Sequence, residues 1–99
     1  MNYKDYPKYD SRRILVVLFA IERLGKDATT HYISQDIKCT RVEVQRAIES
    51  AERTFATKIE KSGSVYELLS WGIVNREAAL ELLKTTVEKG LDDVTKSEL

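Results

Sequence analysis

The segment Arg12–Leu24, RRILVVLFAIERL, constrains this chain more than any other. Eight consecutive side chains from Ile14 to Ile21 are apolar. As a helix, such a segment is apolar around most of its circumference and has to be enclosed by the rest of the fold. Ile14, Val16 and Val17 are β-branched and keep a strand open. The length, a cap at Asp10 or Ser11 and the stop at Gly25 favour a helix. Eight apolar residues fall well short of the roughly 18–20 of a membrane span. Glu22 and Arg23 follow the run, where a secretory leader would carry a small-residue cleavage site. The expectation is a central core helix in an intracellular protein that makes no membrane contact.

The remaining residues must enclose that helix. Ninety-nine residues suit one domain, which can bury roughly 60–70% of its unfolded surface. The apolar share, 42%, and the charged share, 32%, fit a globular chain rather than a low-complexity one. One cysteine and one histidine leave no material for an internal disulfide or a Cys-based zinc cluster.

The first nine residues, MNYKDYPKY, read as an arm rather than a helix. Its tyrosines, Tyr3, Tyr6 and Tyr9, dock on the body or on a partner, or the arm is a partly ordered terminus. The main unit runs over residues 10–74. Gly25-Lys26-Asp27 forms a turn. Thr29 or Thr30 caps a short helix, His31 to Ile37, with Ile33 and Ile37 on one face. Lys38-Cys39-Thr40 is a break, with Cys39 read as a small buried turn residue. Thr40 and Glu43 then have the spacing of a capping box, which starts a third helix running from Arg41 to about Ala56. Val44, Ile48, Ala51 and Phe55 form its buried stripe. Ile59 and Val65-Tyr66-Leu68 flank a Ser62-Gly63 turn and predict a β-hairpin. Trp71 and Ile73 return the chain to the core. Residues 75–90 form a last helix, capped by Asn75 and stopped by Gly90. Its apolar face is Ala79, Leu80, Leu83 and Val87, with Leu82 at the margin, and it is a candidate dimerisation element. Residues 91–99 are a polar tail.

This order predicts a mainly α fold with a small β-hairpin: a three-helix core, a wing and a C-terminal helix. The stretch Tyr32 to Ile48, YISQDIKCTRVEVQRAI, resembles the helix-turn-helix of MarR-type and related prokaryotic winged-helix transcription regulators. Ile33 and Ile37 match the core aliphatics of the short helix. Thr40-Arg41 match the start of the recognition helix, Val44 its first buried residue, and Gln45-Arg46 the polar pair that follows. Two positions depart from the pattern. Lys38 stands where a glycine is usual, and the wing is short, with Glu60 between Lys58 and Lys61. The resemblance implies a winged helix-turn-helix that binds double-stranded DNA sequence-specifically, as a homodimer, in the cytoplasm at the nucleoid.

Helical geometry points to the same surface. With Val44 at the centre of the buried stripe and about 100° per residue, Val42, Gln45, Arg46, Glu49 and Arg53 fall on the opposite face. Arg41, Val42, Gln45 and Arg46 then become base-reading candidates. Arg forks onto guanine, Gln pairs with adenine, and Val touches a thymine methyl. Thr40 at the helix N-terminus and Lys38, Arg53, Lys58 and Lys61 are phosphate candidates. Residues 1–61 hold twelve Lys/Arg against nine Asp/Glu, while residues 62–99 hold four against seven. The competing reading makes Arg46, Glu49 and Arg53 a solvated ion-pair ladder.

No Gly-rich phosphate loop or nucleophile–base pair occurs, so neither an enzyme nor a cofactor is expected. The alternative function is a winged-helix protein–protein interaction module without DNA binding, motivated by zero net charge, Glu49 and Glu60.

Overall fold

The structure, a computed structural model, describes residues 2–85. Helix α1 spans Arg12–Leu24, α2 Thr30–Ile37 and α3 Arg41–Phe55. Strands β1, Lys58–Ser62, and β2, Val65–Ser70, form an antiparallel hairpin. The described part of α4 covers residues 76–85. The fold is therefore mainly helical with one small hairpin, an order compatible with a winged helix.

Helix α1 is the centre of the core. All seven side chains from Leu15 to Ile21 are buried. Ile33 and Ile37 of α2, Val44, Ala47, Ile48 and Ala51 of α3, and Ala79 and Leu83 of α4 belong to the same buried cluster. Each large aliphatic side chain taken out of water there contributes roughly 1.5–3 kcal/mol. Asp10, not Ser11, supplies the cap. Ser11 already has helical angles, φ −60° and ψ −22°. Asp10 Oδ1 accepts the Arg12 N–H at 2.9 Å, and the same carboxylate holds the Arg12 guanidinium at 2.5 Å. Those bonds hold the Asp10 carboxyl down at about 2. Gly25 ends the helix at φ 54° and opens a 3₁₀ turn, Gly25–Asp27.

Helix α2 begins one residue earlier than the spacing predicts. Its cap is Thr29, whose Oγ1 accepts the Tyr32 N–H at 3.1 Å. It ends at Lys38, which itself takes the left-handed conformation, φ 57° and ψ 61°. The usual glycine is replaced by a lysine that carries the strain, roughly 1–2 kcal/mol. The capping box of α3 is complete. Thr40 Oγ1 accepts the Glu43 N–H at 3.1 Å, and Glu43 Oε1 accepts the Thr40 N–H at 3.0 Å.

The hairpin turns at Gly63-Ser64, one residue later than Ser62-Gly63, with Gly63 at φ 61°. Ile59 pairs with Leu68, and Lys58 pairs with Ser70. Leu69 is therefore the extra residue of a bulge. The Tyr66 N–H donates to Ala28 O at 2.8 Å and ties the hairpin to the α1–α2 connection.

Trp71 returns the chain to the core, its ring 4.7 Å from Phe19. Ile73 does not, contrary to the sequence expectation. Its side chain is 77% exposed, because Gly72 turns the backbone tightly over the end of α3 and the Ile73 N–H bonds Phe55 O instead. Gly72 has φ 66°, and a Cβ there would lie 2.0 Å from Phe55 O. Helix α4 is capped by Asn75, whose Oδ1 accepts the Ala78 N–H at 2.9 Å. Its first residue, Arg76, donates Nε to both Glu22 carboxylate oxygens at 2.8 and 2.9 Å. That guanidinium holds the Glu22 carboxyl below its usual range. Ala79 and Leu83 are buried, Leu80 is half-buried and Leu82 is 48% exposed. Val87, the Gly90 stop and the tail lie outside the described residues.

The arm docks on the body and contains a 3₁₀ turn, Tyr3–Asp5, where the sequence predicted no helix. Tyr6 is buried, and its hydroxyl donates to Leu83 O at 3.2 Å. Burial pushes the Tyr6 phenol up. Among the described residues no helix is long and apolar enough to cross a membrane.

Candidate nucleic-acid interface

Because Val44, Ala47, Ile48 and Ala51 are buried, the opposite face of α3 points outward. Arg41, Val42, Gln45, Arg46, Glu49 and Arg53 are all exposed, and Val42 keeps 51% of its surface. Val42 thus leaves half of its surface open to solvent in the first turn of α3. The Arg46–Glu49–Arg53 ladder does not form. The ion pairs among the described residues are Arg12–Asp10, Arg23–Asp36 and Arg76–Glu22. Arg53 instead donates to Ser50 Oγ at 3.4 Å. The side chains of Gln45 and Arg46 have no hydrogen-bond partner among the described residues.

Arg41 does have one. Its Nη2 lies 2.7 Å from Nδ1 of His31, on the first turn of α2. A guanidinium only donates, so this bond needs Nδ1 as the acceptor. The ten-residue separation hides this pair in sequence. It forms because α2 and α3 bring their first turns together. Cys39, two residues before Arg41, is half-buried. Burial, reinforced by the Glu43 carboxylate, pushes its thiol up to about 11. A protonated thiol is neither a nucleophile nor a redox sensor. Glu43 itself is held below its usual range by the Thr40 N–H it accepts.

Lys38 and Thr40 are exposed beside the start of α3. The hairpin does not assemble Lys58 and Lys61 into one basic face. Strand alternation sends them to opposite faces. The Lys61 ammonium lies 5.3 Å over the Tyr66 ring, and Glu60 stands across from Glu67 on the outer face.

The structure adds cations that the sequence had not joined to α3. Lys4, Lys8 and Arg13 line a groove between the arm, α1 and α3, and Arg46 forms part of its wall. The alternation of lysine with tyrosine in the first nine residues was the available signal. Compared with protein-family models, curated proteins and solved structures, the chain matches none.

Proposed function

We propose that this chain is a small winged-helix protein that binds double-stranded DNA sequence-specifically and regulates transcription as a homodimer at the nucleoid. In this reading α3 enters the major groove. Arg41, Val42, Gln45 and Arg46 meet the base edges, while Lys38, Thr40 and Arg53 sit against phosphates. The observation that carries the reading is the first two turns of α3. They expose an aliphatic side chain, an amide and two guanidinium groups, and neither the Gln45 nor the Arg46 side chain has a hydrogen-bond partner among the described residues. The backbone of this well-capped, core-anchored helix is already ordered, so the ordering cost of binding falls on the side chains. A two-fold pair of such modules doubles the contacts available to one.

Fluorescence anisotropy on a random duplex pool tests it, at low and moderate salt, with the Arg41→Ala/Arg46→Ala double variant beside the wild type. Steep weakening with salt, and tenfold or greater further weakening in the variant, is the expected result. A folded wild type that binds no duplex at low salt overturns it.

A second reading, a protein-interaction module, is favoured by the outer face of the hairpin, where Glu60 opposes Glu67 and would repel a phosphate backbone. Failure of DNA binding together with capture of one defined protein partner would select this reading.

A further inference from the structure

We infer that the N-terminal arm is a second nucleic-acid contact, in which Lys4, Lys8 and Arg13 seat one phosphodiester strand of the duplex beside Arg46 and α3. The inference rests on the DNA-binding reading and extends it to a surface outside the helix-turn-helix. The groove measures about 550 Å³ and is continuous with the outward face of α3 through Arg46. Its lining holds more cations than carboxylates, with Lys4, Lys8, Arg13 and Arg46 against Asp10 and Glu43. Asp10 is paired with the Arg12 guanidinium, while the Glu43 carboxylate accepts the Thr40 N–H and keeps its charge, facing Lys4 and Arg13. Lys4 and Lys8 are exposed, and the Lys8 ammonium only lies over the exposed Tyr9 ring, 5.3 Å from its centroid. The Arg13 guanidinium is partly committed, with its Nε donated to Tyr6 O at 2.8 Å and the Tyr3 side chain against it.

The arm is also held in place without a partner. Tyr6 is buried against α4, and Arg13 stacks 4.8 Å over the Tyr3 ring. Tyr9 takes a left-handed backbone, φ 69°, with 90% of its side chain exposed. A lining in which cations outnumber carboxylates complements a polyphosphate strand and carries no sequence information.

The test measures anisotropy of the full chain on one bound duplex across a salt series, for wild type, Lys4→Ala/Lys8→Ala, Lys4→Arg/Lys8→Arg and Arg41→Ala/Arg46→Ala. Each phosphate contact adds close to one to the slope of log affinity against log salt. The alanine pair is expected to lower that slope by about two and to weaken binding about five- to twentyfold on any sequence, with the arginine pair near wild type. Both arm variants should keep the wild-type Tm, since neither lysine is buried. Wild-type binding with an unchanged slope in the alanine pair overturns the inference alone, whether affinity holds or falls. Absence of wild-type binding overturns the underlying reading first, and this inference with it.

Discussion

Arg41 donates its guanidinium to His31 Nδ1 at 2.7 Å, so the first turn of α2 holds the first cation of α3. The pair is exposed, and its stabilisation of the fold is below about 1 kcal/mol. Its effect falls on the direction of Arg41. His31→Ala should leave Tm within a few degrees of wild type. Under the DNA reading, Arg41→Ala loses about 1–3 kcal/mol of affinity for a selected duplex, while His31→Ala loses less. Anisotropy with both variants checks this. An Arg41→Ala protein that binds as tightly as wild type would remove Arg41 from base contact.

Lys38 combines a structural cost with a candidate phosphate contact. Its left-handed backbone, φ 57°, is one that glycine adopts freely. Lys38→Gly relieves that strain but gives back part of it through the greater freedom of the unfolded chain. The net expectation is a gain of about 0.5–1 kcal/mol in urea unfolding, with weaker DNA binding from the lost cation. A variant less stable than wild type would contradict the strain assignment.

The Asp10–Arg12 pair predicts a specific acid limb. The Asp10 carboxyl, held at about 2 against an ordinary 3.8, stabilises the fold above the ordinary value. That contribution is lost as pH falls through the folded value. The side chain keeps 21% exposure, so after solvent screening it contributes about 1 kcal/mol. Asp10→Asn should therefore lower Tm at neutral pH by about 4–8 °C. The difference should shrink between pH 4 and 2. A gap that persists at pH 2 would show that the hydrogen-bond geometry, not the charge, carries the effect.

Gly72 allows the hairpin to turn over the end of α3. A methyl group there meets Phe55 O at 2.0 Å and Ala56 C at 2.5 Å, both backbone atoms, on a left-handed residue. Gly72→Ala should cost 2 kcal/mol or more. Chemical denaturation with Trp71 fluorescence reports it, since the indole sits on Phe19 beside the same turn. A loss below 0.5 kcal/mol would mean the turn relaxes easily.

What the sequence determined by itself is local. The extent of α1, the Thr40–Glu43 box, the buried stripe of α3 and the Asn75 cap are each set by residues within a few positions of one another. Hydrogen bonds and apolar spacing at that range leave the same mark in any fold. Tertiary structure decided the rest. It selected Trp71 rather than Ile73 for the core, because the Gly72 turn presents only one of them to Phe19. It placed Lys58 and Lys61 on opposite faces of the hairpin through strand pairing. It brought His31 to Arg41 and the arm's lysines to Arg46, across separations that no local pattern records. These contacts depend on how whole elements pack around α1, and that packing is a property of the assembled core rather than of any short stretch of chain.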